Sequence, residues 1–164
     1  MIQHLEDKIL DNTQLTKKLA IWKFQNKKIV FTNGCFDLLH MGHLNYLAKA
    51  RALGDLLILG LNTDKSVQKL KGANRPIKKE IERATQLAAL LFVDAVVLFG
   101  EDTPLELIKL IQPNVLVKGA DYEVNQIVGA DVVIAGGGEV KTIEFLEGYS
   151  STKLINKITD SNLK

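Results

Sequence analysis

Phe31-Thr32-Asn33-Gly34-Cys35-Phe36-Asp37-Leu38-Leu39-His40-Met41-Gly42-His43 is the stretch on which the reading of this chain turns. It starts on the end of the apolar run Ile29-Val30-Phe31, bounded by Lys27-Lys28 and by Thr32-Asn33, which reads as a buried strand. It runs into an amphipathic segment, Met41 to about Ala52, with Leu44, Leu47, Ala48 and Arg51 at helical spacing and Gly54 as its stop. The stretch is thus a strand, a tight turn and the first turn of a helix. His40 and His43, spaced i, i+3, fall on one face of that turn, and Gly42 permits close backbone approach to a ligand. Backbone N–H groups and two imidazoles at a helix N-terminus favour an anion. A pair of ordinary hydrogen-bonded histidines is the alternative for an H-x-G-H taken alone. A metal site would need a third His or Cys, and none is nearby in sequence.

Working outward, Leu56–Leu61, Ala95–Leu98 and Asn114–Val117 are further apolar runs that read as strands, Asp131–Ala135 as a fifth and Val140–Phe145 as a sixth. Between them the spacing predicts a helix from about Lys79 to Phe92, with Ile81, Ala84, Leu87, Ala88 and Leu91 as its stripe, and a helix over Leu105–Ile111 opened by Thr103-Pro104. Ser150-Ser151-Thr152 caps a last helix, Lys153 to about Ile158. Upstream, Thr13 caps a helix through about Phe24, with Leu15, Leu19 and Trp22 on one face. Strands apolar throughout, alternating with amphipathic helices, predict an α/β, three-layer Rossmann-like fold: a central, mostly parallel sheet with helices on both faces. Three parts are expected: an N-terminal arm and helix (1–24), one domain (25–158) and a polar tail (159–164). Such sheets bind ligands beyond the carboxyl ends of their strands, and the polar clusters Asn33–His43, Asn62–Lys71 and Lys118–Asp121 all follow strands.

A net charge of +2 is too weak to suggest a nucleic-acid or membrane partner, so phosphate binding has to be local. The one cysteine, Cys35, has no internal disulfide partner and reads as a small residue fitting the turn. The first residues lack the order of a signal peptide, and no apolar run approaches the ~20 residues that cross a bilayer. A cytoplasmic setting is expected. Neither G-x-x-x-x-G-K-[ST] nor G-x-G-x-x-G occurs, and Gly136-Gly137-Gly138 reads as a tight turn.

Thr32 to His43 resembles the signature of the cytidylyltransferase-like nucleotidyltransferases, a superfamily with an HxGH motif. The resemblance runs from about residue 25 to 158. It takes in Glu82-Arg83, Phe92–Val97, Val117–Tyr122 and Ser150–Lys153; Leu70–Pro76, Glu101–Pro104 and Gly136–Glu139 are most similar to the heptose 1-phosphate adenylyltransferase branch. What the resemblance implies is AMP transfer from ATP to a sugar 1-phosphate, with pyrophosphate released. His40, His43 and Lys118 would be catalytic. Thr32, Asn33, Gly34, Cys35, Phe36, Arg83, Gly119, Ser150, Ser151 and Thr152 would join the histidines in binding nucleotide. Asp37, Lys69, Lys71, Arg75, Lys118 and Asp121 would meet the sugar phosphate. Solvated basic residues are the alternative for Lys69, Lys71 and Arg75, an exposed helix pair for Glu82-Arg83, and a turn former for Asp121. Mg²⁺ would be held mainly by the nucleotide phosphates, with no protein metal site. The expected partners are small molecules, a second copy in a homodimer, and a separate sugar kinase upstream. Phe145 stands where glycerol-phosphate cytidylyltransferases carry an arginine, which weakens CTP as donor. GDP-heptose formation, CTP-dependent transfer to glycerol phosphate or another phosphoalcohol, and a non-catalytic nucleotide-binding module are the alternatives.

Overall fold

Side-chain alternation along the strands sets the layers. In β2 (Ile29–Gly34) Ile29 and Phe31 pack on one side of the sheet, while Val30 packs on the other. In β3 (Leu56–Asn62) Ile58 joins the first side, and Leu57, Leu59 and Leu61 join the second. Both faces must then be covered, as a parallel sheet requires. The computed structural model describes residues 2–120, 126–144, 146, 148–151 and 155. Within them β1 (Ile9–Leu10), β2, β3, β4 (Ala95–Phe99), β5 (Val115–Gly119) and β6 (Glu139–Ile143) form one sheet, in the order β1-β4-β3-β2-β5-β6. Every pairing is parallel.

One face is covered by α2 (Asn12–Phe24), α6 (Leu105–Ile111) and α7 (Ala130–Ala135), through Leu15, Leu19, Leu107, Ile108, Ile111, Ala130 and Val133. The other is covered by α3 (Met41–Arg51) and α5 (Glu80–Ala88), through Tyr46, Leu47, Ala50, Ala84, Leu87 and Ala88. Each wholly buried Leu or Ile contributes roughly 1.5–3 kcal/mol, so this two-sided core holds short helices that would be marginal alone. The strand order reverses direction at β2, which lies between β3 and β5. That switch point places the ends of β2 and β5 side by side.

The structure departs from the sequence reading in six places, one of them α5, which ends at Ala88 rather than about Phe92 and leaves Ile81 and Leu91 of the expected stripe exposed. The N-terminal arm contains, besides the helix α1 (Ile2–Glu6), a strand the sequence reading did not include: β1 pairs with β4 at the sheet edge. Two residues are too few to show a period. The cap of α2 is Asp11, which accepts from the Gln14 N–H while Gln14 reaches back to the Asp11 N–H; Thr13 lies inside the helix. Asn62–Lys71, read as a polar stretch, contains α4 (Asp64–Lys71), capped by Thr63. Asp131–Ala135, read as a strand, belongs to α7; Ala130 and Val133 are buried at i, i+3 and Ile134 is exposed. Short apolar runs do not separate helix from strand by pattern alone. Finally, Pro104 occupies the cap position of α6 with no side-chain cap bond from Thr103. Phe145, Lys153 and the tail after Thr159 lie outside the described residues; around the predicted last helix, from residue 151 onward, only Ser151 and Ile155 are described, and both are helical.

Candidate active site

At the switch point, β2 hands the chain into the turn Cys35–His40 and then into α3. His40 is the N-cap residue of α3, with extended backbone; its carbonyl accepts from the N–H groups of His43 and Leu44. The two imidazoles therefore rise together from the first turn. Their ring centroids are 3.9 Å apart with planes 20° from parallel, and Phe36 meets His43 edge-on at 5.2 Å. Gly42 lets this packing close: a Cβ there would sit 3.0 Å from His40 Nδ1 and 3.1 Å from the Tyr149 Cβ, so a neighbour would have to give by a few tenths of an ångström. Nδ1 of His40 and Nδ1 of His43 are both buried without a protein partner.

Burial, chiefly, pushes His43 down to about 4, with the neighbouring His40 and the Lys71 ammonium adding to it and the Leu38 carbonyl opposing. His40 is lowered by burial as well. Both rings are neutral at pH 7, so each offers a hydrogen-bond donor rather than a charge. Burial raises the Cys35 thiol, only partly offset by Lys71 and Arg83, so it stays protonated. Its sulfur lies 3.9 Å from Asn62 Oδ1.

His43 stands on the wall of a cavity of about 500 Å³. Of the residues singled out from sequence, Asn33, Gly34, Cys35, Phe36 and Asp37 line it from the β2 turn. Lys71 lines it from the end of α4, Lys118 and Gly119 from the end of β5, and Ser151 from the C-terminal segment. Lys118 Nζ donates to Asn33 Oδ1, joining β5 to β2 across the switch point. The Ser151 hydroxyl donates to the Leu38 carbonyl, 3.2 Å away.

Others are placed differently. His40 is stacked behind His43. Thr32 is wholly buried, its hydroxyl 2.7 Å from the Tyr46 hydroxyl. Lys69 is an exposed residue of α4 paired with Asp102, and Ser150 does not line the cavity. Arg83, expected at the nucleotide, has no exposed surface and does not line the cavity. Its guanidinium donates to the carbonyls of Cys35 and Lys78 and to Asp64 Oδ1, which ties the β2 turn to α4 and α5. Asp37, expected at the sugar phosphate, touches the cavity wall but is only 1% exposed. Its carboxylate accepts from the N–H groups of Ile77 and Lys78 and from Arg75 Nε at 2.6 Å. Burial raises its pKa, but those hydrogen bonds and the Arg75 charge outweigh burial and hold it below the usual carboxylate range. Asp37 and Arg75 are therefore a clasp that fixes the 72–79 loop to the β2 turn. Asp121 and Thr152 lie outside the described residues.

Several lining residues were not singled out from sequence as site residues: Tyr46, Asn62, Leu70, Phe99, Asp102 and Pro104. Tyr46 follows His43 by three positions on α3 and so shares its face. Asn62 is a polar residue ending a strand otherwise apolar, and Asp102 and Pro104 belong to the Glu101–Pro104 motif. Among the described residues no cluster of three or more His, Cys, Asp or Glu side chains is arranged to hold a metal ion, and no helix is long and apolar enough to cross a membrane.

Comparison with known proteins places this geometry. The family model described as cytidylyltransferase-like matches residues 31–157. "Bifunctional protein HldE" of Campylobacter jejuni subsp. doylei is 55% identical over 155 residues, covering 94% of this chain and 32% of that protein. The protein of the same name from Caulobacter vibrioides is 56% identical over 153 residues, covering 93% and 32%. The chain thus spans about a third of the length of these curated relatives. Among solved structures, the lipopolysaccharide core biosynthesis protein from Thermoplasma volcanium GSS1 is 27% identical, with a TM-score of 0.59 over 76% of this chain and 99% of that one. Pantoate-beta-alanine ligase from Francisella tularensis shares the fold at 17% identity, with a TM-score of 0.61 over 93% of this chain and 77% of that one. The matched span opens on Phe31 and takes in every residue found on the cavity wall, and the chain belongs to the cytidylyltransferase-like family.

Proposed function

We propose that this chain is a nucleotidyltransferase that moves AMP from ATP to a heptose 1-phosphate, giving ADP-heptose and pyrophosphate for a surface-glycan precursor. The observation that carries this reading is the neutral His43–His40 stack at the start of α3, facing a cavity that also takes Lys71, Lys118 and Ser151. The names of the relatives, bifunctional HldE and a lipopolysaccharide core biosynthesis protein, support the heptose branch.

The transfer is an in-line displacement. An oxygen of the sugar phosphate forms a bond to the α-phosphorus of ATP, the bond from that phosphorus to the bridging oxygen breaks, and pyrophosphate leaves with the electron pair. Such a reaction asks the protein for positioning and charge stabilisation, not covalent help. His43 donates an N–H to the phosphoryl oxygens that gain charge, and Lys71 and Lys118 supply positive charge. The protonated Cys35 has no part as a nucleophile. Mg²⁺ would be held mainly by the phosphates of the triphosphate and so would arrive as part of the substrate. A kinase acting upstream, in this polypeptide or another, supplies the sugar 1-phosphate.

Pyrophosphate release measured over a grid of the four nucleoside triphosphates and several sugar phosphates tests the reading. Turnover is expected with ATP and heptose 1-phosphate. Strong turnover with CTP and glycerol 3-phosphate, and none with ATP and heptose phosphate, would overturn the choice of substrates. Tight ATP binding with no release anywhere on the grid would overturn the enzyme reading itself.

A further inference from the structure

The histidine stack does not end at His40. On its outer side lies Tyr149, whose ring centroid is 6.4 Å from that of His40, with planes 23° apart. The order outward from the cavity is His43, His40, Tyr149, with Phe36 edge-on to His43. Tyr149 also closes on Gly42, the residue between the histidines, where an added Cβ would meet its Cβ at 3.1 Å. His40 makes no side-chain cap bond to α3, and its Nδ1 has no protein partner. Ring contacts on its two sides, rather than hydrogen bonds at that nitrogen, fix how the imidazole stands. Tyr149 itself is half exposed, so burying its own ring is not its main contribution. Two residues on, Ser151 is tied to the Leu38 carbonyl, which anchors the segment over the turn that precedes α3.

We propose that Tyr149 is a positioning residue for the transfer: its ring closes the open side of the His43–His40 stack and holds both imidazoles in the orientation they present to the triphosphate. The kinetic part of this inference rests on the reaction proposed above; the spectroscopic part does not. Aromatic contacts of this kind are large enough to matter to a rate, since an effect of about tenfold corresponds to about 1.4 kcal/mol.

The test compares Tyr149→Phe, Tyr149→Leu and Tyr149→Ala in the full chain. Imidazole nitrogen and Hε1 resonances are followed across pH without substrate, and pyrophosphate release is measured with ATP and heptose 1-phosphate. Only one other histidine, His4, is present, so the spectra are simple. Besides burial, the groups that act on His43 are His40, the Leu38 carbonyl and Lys71, whereas His40 is lowered by burial. Tyr149→Ala is expected to move the His40 titration upward towards that of a hydrated imidazole and to lower kcat about tenfold, with KM for ATP within about threefold. Tyr149→Leu, which keeps bulk without an aromatic ring, is expected to fall between Ala and Phe, and it stands in if the Ala variant fails to fold. Tyr149→Phe should rescue both readouts. An unchanged His40 titration in the Ala and Leu variants would overturn the inference, as would a Phe variant as impaired as the Ala one. If the wild-type chain releases no pyrophosphate, the proposed reaction fails while the His40 titration still decides the role of Tyr149.

Discussion

Replacing Asp37 by Asn distinguishes a clasp from a substrate ligand. The native carboxylate takes the Ile77 and Lys78 N–H groups chiefly on one oxygen and Arg75 Nε on the other, at 2.6 Å. An asparagine oriented to keep the two backbone donors turns its NH₂ towards Arg75, donor against donor. Arg75 is then left with no counter-charge at a site where its side chain is 14% exposed and its Nη2 is already unpartnered. Breaking one half of a buried ion pair costs about 3–5 kcal/mol. The surviving backbone bonds and the partial exposure of Arg75 put the loss near the lower figure, about 3 kcal/mol. For a domain of this size that is a fall in Tm of roughly 6–12 °C. Urea denaturation at pH 7.5 of Asp37→Asn, Arg75→Met and the double variant measures it. Removing both partners leaves no buried charge, so the double variant should recover a substantial part of the loss, with a coupling of about 1.5–3 kcal/mol. A single-variant loss below about 1 kcal/mol, or losses that simply add, would refute the clasp and return Asp37 to the role of a substrate contact.

His43→Ala should lower kcat by about 10²-fold or more while the chain stays folded by circular dichroism, as for any lost transition-state donor; near-normal turnover would sink the proposed mechanism. Stability should fall as the pH drops from about 6.5 to about 4. In that window the unfolded His43 binds a proton that the buried native ring does not, so the unfolded state gains protons and is favoured. The shift corresponds to roughly 3 kcal/mol, or about 2 kcal/mol once the partial exposure of the ring is allowed for. Comparing denaturation midpoints of the wild type and His43→Asn at pH 7.5 and 4.5 isolates this part, and an equal pH dependence in both would contradict it. Gly42→Ala should keep or slightly raise helix stability, by up to about 1 kcal/mol. It should also lower kcat about tenfold or more, because the new methyl displaces His40 or Tyr149; kinetics like wild type would show that the stack tolerates the shift.

The strands that form the middle of the sheet were legible because each is an apolar run buried on both faces, and β2, β3, β4 and β5 stand where their runs stand. The edges were less legible for physical reasons. β1 gains its place by two residues paired with β4, a signal no periodicity carries. α4 shows only Val67 and Leu70 as apolar positions; one is buried and the other largely exposed, so its helical stripe is a single residue wide. In α7 four consecutive apolar residues, Val132–Ala135, imitate a buried strand, and only the tertiary packing of Ala130 and Val133 decides for helix. At the site, the strand–turn–helix at Asn33–His43 was read correctly as a unit, because the turn, the glycine and the paired histidines are all local in sequence.

Charged residues were harder to assign, and the reason bears on how such sites are built. Asp37, Arg75 and Arg83 carry charge, follow strands or sit on the middle helix, and so look like ligands for a phosphate and a sugar. Their partners are distant in sequence: Arg75 is 38 residues from Asp37, and Arg83 is 48 from Cys35 and 19 from Asp64. A charge can be buried only where a partner meets it, and sequence spacing does not show which partner that is. With those three paired inside the protein, Lys71 and Lys118 are the lysines on the cavity wall, with His43 uncharged between the β2 turn and α3. The buried pairs thus do for the turn what the ligand does not have to do. They set the positions of Cys35 and Asp37 in the free protein; on the proposed reaction, binding energy would then go into the transition state rather than into ordering the loop.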